Sequence, residues 1–114
     1  SKDFRRRGVG NRLLQGLILH LASQADNPRT EARALGYEYA SRGSRRGMSC
    51  AEATHAFLFF RNLLFESMLS VYESAAVRSP QVWGDMFRKV QNFTDQILIT
   101  LLETYEGYQR NTNR

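Results

Sequence analysis

Apolar residues recur every three or four positions through most of the chain, which is the spacing of one buried face of an α-helix. The first such segment covers about residues 9–25, and its apolar residues are Leu13, Leu14, Leu17, Ile18 and Leu21. Asn27 and Pro28 separate it from a second predicted helix over about 28–42, since asparagine caps helices and proline suits their first turn. The expected inner face of this second helix consists of Ala32, Leu35, Gly36 and Tyr39.

A loop is predicted after the second helix, and the start of a third helix follows this loop. The glycines and arginines of residues 43–47 predict the loop, which would be a basic connector. Ser49 and Glu52 have the spacing of a capping box, in which each side chain accepts a hydrogen bond from the other residue's backbone amide. The third helix is therefore predicted to begin there and to reach about residue 77.

Ser79 and Pro80 mark the start of a fourth helix, with the serine as its cap and the proline in its first turn. This helix is predicted to run to about Tyr108, because Gly107 weakens its end, and residues 109–114 form a polar tail. At 1.5 Å per residue the last two helices would span about 42–45 Å and the first two about 22–26 Å. The short pair would leave part of the long pair uncovered.

The third predicted helix is apolar nearly all round between residues 56 and 65. One of its stripes is Phe57, Phe60, Leu64 and Val71, and the first three of these residues are expected in the core of the chain. The other stripe is Leu58, Phe65, Leu69 and Tyr72. A helix with two apolar faces is central or shared between two cores. We therefore expect a homodimer that buries the second stripe, with a helix from outside this sequence as the alternative cover.

Length and composition indicate a single all-α domain over residues 1–114. The chain has 114 residues with 42% hydrophobic residues, which is enough to form a core, and its single cysteine excludes a disulfide framework. No apolar run is long enough to span a bilayer and no signal peptide is present, so a cytoplasmic location is expected. The chain begins at Ser1 rather than methionine, which predicts a piece of a longer protein.

Positive charge is concentrated in the first half. Residues 1–47 carry ten basic and four acidic side chains, whereas residues 48–114 carry six and seven. Nucleic-acid binding through the basic arm of residues 1–8, which holds Arg5–Arg7, and through Arg42–Arg46 is a weaker hypothesis, because almost no aromatic residues lie among these arginines. Binding of that kind would weaken steeply with added salt. A solvated, arginine-rich surface is the alternative.

The residues that could bind a metal ion or catalyse a reaction do not form a complete site in the sequence. Glu52 and His55 have the spacing of one di-iron ligand pair, but the second pair and the two further glutamates are missing, and His20 is the only other histidine. We therefore predict no metal, haem or other cofactor and no catalytic residue, with His55 in the core or at the edge of a pocket. Cys50 lies in the first turn of a helix and lacks a resolving cysteine, which favours an inert side chain.

Arg61 is unusual because it lies within the most apolar stretch of the chain. Its side chain either extends from the core to solvent, or pairs with Glu38 or Asp95, or binds an anionic ligand. We group it with His55 and Tyr37 as the candidate ligand-binding residues.

One part of the sequence resembles a known family, through Leu35-Gly36-Tyr37-Glu38-Tyr39-Ala40, Arg42-Gly43, Gly47-Met48-Ser49, Ala51-Glu52-Ala53, Ala56-Phe57 and Phe60-Arg61. The pattern is similar to helical N-terminal regulatory domains of bacterial signalling proteins, of the RsbT co-antagonist type. These also precede helix-turn-helix regulators, STAS domains and histidine kinases. The resemblance implies a globin-like or bundle-like helical dimer without haem.

The function that this resemblance implies is a non-enzymatic sensory or regulatory domain that passes an input to an output domain outside this sequence. The alternative is the ligand-binding domain of a one-component transcription regulator. The ligand, either a small molecule or a protein, is not defined by the sequence.

Overall fold

The computed structural model describes residues 28–74 and 79–112, and this part of the chain is helical, without strands. Helix α1 is Pro28–Arg45, α2 is Cys50–Ser74 and α3 is Pro80–Thr112. The prediction of an all-α chain whose last two helices are longest is confirmed for these residues. The predicted helix over residues 9–25 and the basic arm lie outside the described residues.

Helix α1 is longer than predicted, because it continues through Arg45 into the segment expected to be a loop. A Schellman motif ends it: the Gly47 amide donates to the Ser44 carbonyl at 3.0 Å, and the Met48 amide donates to the Gly43 carbonyl at 2.9 Å. Gly47 has a φ of 74°, which glycine adopts without the steric cost of a Cβ. The expected loop at residues 43–47 was therefore wrong, since its first three residues complete the helix.

The predicted capping box at the start of α2 is confirmed. The Glu52 amide donates to Ser49 Oγ, and the Ser49 amide donates to Glu52 Oε1, both at 3.1 Å. These bonds satisfy backbone groups that have no partner within the helix. The start of α2 is thus fixed only four residues after the end of α1.

We predict that Ser49→Ala lowers the free energy of unfolding by about 1 kcal/mol, the typical cost of losing a serine cap. Urea denaturation followed by circular dichroism measures this change. Ser44→Ala is the matched control, because Ser44 is an exposed serine in the last turn of α1. A loss of similar size in both variants would contradict a specific role for the cap.

Helix α3 begins at Pro80 as predicted, and the Trp83 amide donates to the Ser79 carbonyl at 3.1 Å. Its predicted end was wrong, because the helix passes through Gly107 and ends at Thr112. The Tyr105 and Tyr108 rings meet edge to face, with centroids 5.9 Å apart. This contact on either side of Gly107 offsets part of the glycine's helix cost of about 1 kcal/mol.

Helices α1 and α3 lie close together because α1 presents a stripe of small, buried residues, namely Ala32, Gly36, Ala40 and Gly43. At Gly36 a Cβ would lie 2.6 Å from Thr100 Cβ and 2.7 Å from the Ile97 carbonyl oxygen. Gly36 therefore allows the backbones of α1 and α3 to approach closely. Leu35 and Tyr39 are partly buried beside this stripe, as expected.

Helix α2 contributes Phe57, Leu64 and Met68 to the main core, where they meet Val90, Phe93 and Ile97 of α3. Phe60 is partly buried against the same cluster, so the predicted core positions of Phe57, Phe60 and Leu64 are confirmed, whereas Val71 of the same stripe is 56% exposed. The smallest Cα extent is only 17 Å. Because packed helix axes lie about 8–10 Å apart, this thickness accommodates no more than two layers of helices. On the outer face of α2, Phe59, Leu63 and Leu69 are exposed.

Candidate functional site

Arg61 forms an ion pair with Asp95 of α3, with 3.0 Å between Nη1 and Oδ1. The side chains are 23% and 43% exposed, so Arg61 is the more buried partner. Of the alternatives that the sequence left open, the structure selects the pair with Asp95. Glu38 instead pairs with Arg42, one turn along α1, at 2.7 Å. Arg61 thus links α2 to α3 and does not point to an anion site by itself.

His55 and Tyr37 are both exposed, and the structure does not bring them together with Arg61 in one cavity. His55 is exposed, so of its two expected places, in the core or at the edge of a pocket, the core was wrong. Tyr37 accepts a hydrogen bond from Arg33 Nη2 at 3.4 Å, and this bond raises the pKa of the Arg33 guanidinium. Contacts of these three residues with a ligand stay a prediction.

A cavity of about 160 Å³ lies beside the turn between α1 and α2. Its walls come from all three described helices and from the turn, and they are Tyr39, Arg42, Gly43, Arg46, Met48, Ala53, Ala56, Phe57, Phe60 and Leu101. Small residues leave the space open, since Gly43, Ala53 and Ala56 stand where larger side chains would fill it. The wall is apolar apart from the two arginines and the Tyr39 hydroxyl.

The two arginines in the wall differ in their partners. Arg42 is held by Glu38, whereas Arg46 is exposed and has no carboxylate within 4.0 Å among the described residues. Arg45, between them in the chain, does not line the cavity, and its Nε donates to the Ser41 carbonyl at 3.4 Å. All three lie at the carboxyl end of α1, where positive side chains offset the helix dipole.

Tyr105 connects α3 to the turn between α1 and α2, which borders the cavity. Its hydroxyl donates to the Met48 carbonyl at 3.1 Å, across 57 positions of sequence. Burial raises the pKa of this hydroxyl, with smaller contributions from Cys50, Tyr108 and Glu52. The group therefore remains protonated, as a donor must, at neutral pH. Leu101, one turn earlier in α3, lines the cavity itself.

We predict that Gly43→Ala lowers the free energy of unfolding by about 1–2 kcal/mol. The added Cβ would lie 2.6 Å from the Tyr105 hydroxyl oxygen and would displace it from the Met48 carbonyl. In a Tyr105→Phe background the same change should be neutral or stabilising by up to about 1 kcal/mol, because alanine favours the helix and the obstructing oxygen is gone. A double-mutant cycle by urea denaturation measures this coupling, and additive effects would contradict it.

The residues predicted to form a dimer face occupy different environments. Phe65 packs on Phe87 with ring centroids 6.3 Å apart, and Tyr72 meets Trp83 at 5.4 Å, so both already contact α3 of the same chain. Leu58 is half-buried and Leu69 is exposed. The most outward apolar pair at mid-helix is instead Phe59 and Leu63, one turn apart on α2.

No group of three or more side chains suited to binding a metal ion occurs within residues 28–74 and 79–112. Glu52, one of the two possible ligands discussed above, already accepts the Ser49 amide. Of the helices that the structure describes, none has the length and apolar character that a membrane crossing requires. No family model matches the sequence, and no curated protein or solved structure is detectably similar to it.

The cavity was not predicted from the sequence. Its signals are present in the sequence, since Gly43, Ala53 and Ala56 are small residues beside the aromatic Tyr39, Phe57 and Phe60. Their arrangement around one space depends on how α1 and α2 cross, and helical periodicity within one segment does not determine that crossing.

Proposed function

We propose that the chain is a non-enzymatic regulatory domain that forms a homodimer and passes an input to an output domain elsewhere in its protein. The observation that carries this proposal is the apolar outer face of α2. Phe59 is 46% exposed and Leu63 is 39% exposed, in the most apolar of the three described helices. This apolar area stays exposed although the Phe59 ring contacts Phe60 of the same helix, with centroids 5.9 Å apart.

A second copy of the chain is the occupant that we propose. Isologous two-fold pairing covers such a face with an identical one, and it is the commonest form of soluble oligomer. Leu69, also exposed, extends the apolar surface toward the end of α2. The dimer face is therefore centred on Phe59 and Leu63 and includes Leu69 of the predicted stripe. The predicted helix over residues 9–25 would complete a four-helix bundle or globin-like domain.

The hydrogen bond between Tyr105 and the turn that joins α1 to α2 supports the regulatory part of the proposal. A change at the turn would alter the position of α3, whose end at Thr112 leads toward the C-terminus. Coupling of this kind requires two arrangements of the domain with different affinity for the input. The resemblance to regulatory domains of bacterial signalling proteins agrees with this proposal, and a cytoplasmic location would follow from it.

Light scattering on the full chain at micromolar concentration tests the dimer. We expect twice the mass of one 13.1 kDa chain. Phe59→Asp should give a monomer of unchanged helicity, because it places a charge in the proposed face at a half-exposed position that is not one of the buried core residues. Tyr37→Asp is the matched control, since Tyr37 is equally exposed, at 48%, but lies on α1. A monomeric parent protein, or equal dissociation by both variants, would contradict the proposal.

A further inference from the structure

We propose that the cavity between α1, α2 and α3 binds a small monocarboxylate with a compact apolar body, such as an aromatic or branched acid. This inference gives the input of the proposed regulatory function a chemical class, and it rests on that function only for its regulatory meaning. Binding itself would occur in a monomer as well as in a dimer.

Cavity size limits the apolar part of the ligand. An apolar protein cavity of about 150 Å³ holds one benzene molecule. The space here is about 160 Å³, so it accommodates a single six-membered ring or a branched chain of similar volume. A long acyl chain or a fused-ring ligand would extend out of this space toward solvent, because Phe57 and Leu101 on its inner side are buried in the core.

The wall is apolar on its inner side and charged on the side that faces solvent. Phe57 and Leu101 are buried and form its inner part, whereas Arg46 is exposed and marks the side that faces solvent. A ligand would therefore place its apolar body inward and its charged group at the arginines. Within residues 28–74 and 79–112, no aspartate or glutamate contributes to the wall. The arginines also compensate the partial negative charge that the helix dipole places at this end of α1.

The charge balance favours one negative charge on the ligand. Arg42 is already paired with Glu38 at 2.7 Å, so among the described residues Arg46 is the arginine of the wall that has no carboxylate partner. A guanidinium matches a carboxylate through two parallel hydrogen bonds. A phosphate dianion would carry excess negative charge beside Glu38, so a monocarboxylate fits this site better.

Nuclear magnetic resonance titration of the full chain with benzoate tests the proposal, with benzamide as the neutral probe of the same shape. We expect saturable shifts of the Ala53, Ala56 and Phe57 amides and of the Arg46 Nε–H signal. Benzoate should bind roughly tenfold more tightly than benzamide, the effect of one charged hydrogen bond. Equal binding of the two probes would overturn the proposal. So would the absence of saturation by benzoate, cyclohexanecarboxylate and 2-methylbutanoate up to about 10 mM.

Three variants test whether benzoate binds in the cavity. Arg46→Gln should weaken benzoate binding roughly tenfold, whereas Arg45→Gln should change it less than about twofold, because that exposed arginine lies outside the cavity wall. Ala56→Leu should abolish binding by filling the cavity. If this variant fails to fold, the comparison of Arg46→Gln with Arg45→Gln still shows whether the ligand binds at Arg46. Equal losses in these two variants would indicate unspecific attraction and would overturn the site.

The result of the benzoate titration can be distinguished from the result of the light-scattering experiment on the dimer. Monomeric protein that binds benzoate with the expected Arg46 dependence would support the cavity site and contradict the proposed dimer. Dimeric protein that binds none of the three acids would support the proposed function and overturn the ligand class. The two measurements use different residues, since Phe59 lies outside the cavity wall.

Discussion

Truncation of Ile97 to alanine should lower the free energy of unfolding by about 2–5 kcal/mol. Ile97 is completely buried, at 0% exposure, and it packs in the core cluster where α1, α2 and α3 meet. The neighbouring α1 stripe cannot move inward to fill the space, because the Gly36 backbone already lies against the Ile97 carbonyl. The lost side-chain atoms would therefore leave a cavity. Urea denaturation with linear extrapolation measures the change.

Ile99 provides the matched control for this prediction. It has the same side chain, lies in the same helix two residues later, and is 45% exposed. Ile99→Ala should cost less than about 1 kcal/mol, since little apolar surface is lost from the folded state. If the two variants lost equal stability, the position of the core along α3 would be incorrect.

Local sequence signals were sufficient to predict where the three described helices begin. The Ser49 and Glu52 capping box and the Ser79–Pro80 start each depend on residues within one turn, so no tertiary contact is needed to recognise them. The end of α1 was misplaced because Gly43 was taken as a loop residue. In the structure Gly43 is a packing residue beside Tyr105, and Gly47 is the residue that ends the helix.

Side-chain partners across helices could not be predicted in the same way. Arg61 had two candidate carboxylates, and the choice of Asp95 depends on how α2 lies against α3. Phe65 and Tyr72 were assigned to a dimer face because the stripe was apolar, but Phe87 and Trp83 occupy that side. Periodicity shows that a helix has two apolar faces, and only the tertiary arrangement shows which neighbour covers each.

The close contact between α1 and α3 gives the second large effect. Gly36→Ala should lower the free energy of unfolding by about 2 kcal/mol, although alanine is the better helix former by about 1 kcal/mol. The new Cβ would lie 2.6 Å from Thr100 Cβ and 2.7 Å from a backbone oxygen of Ile97. Because a backbone atom cannot rotate away, the two helices would have to separate. That separation would loosen the buried contacts along the whole small-residue stripe.

Gly107→Ala is the control that isolates this steric effect from helix propensity. Gly107 is also a glycine within a helix, but a Cβ there meets no atom within 4 Å. With nothing to displace, the substitution should stabilise the protein by about 0.5–1 kcal/mol through backbone entropy alone. The two glycine-to-alanine changes are therefore expected to have opposite signs in the same denaturation assay. Stabilisation by Gly36→Ala would show that α1 and α3 do not approach as closely as the structure has them, and the small-residue stripe would then lose its role as the contact surface.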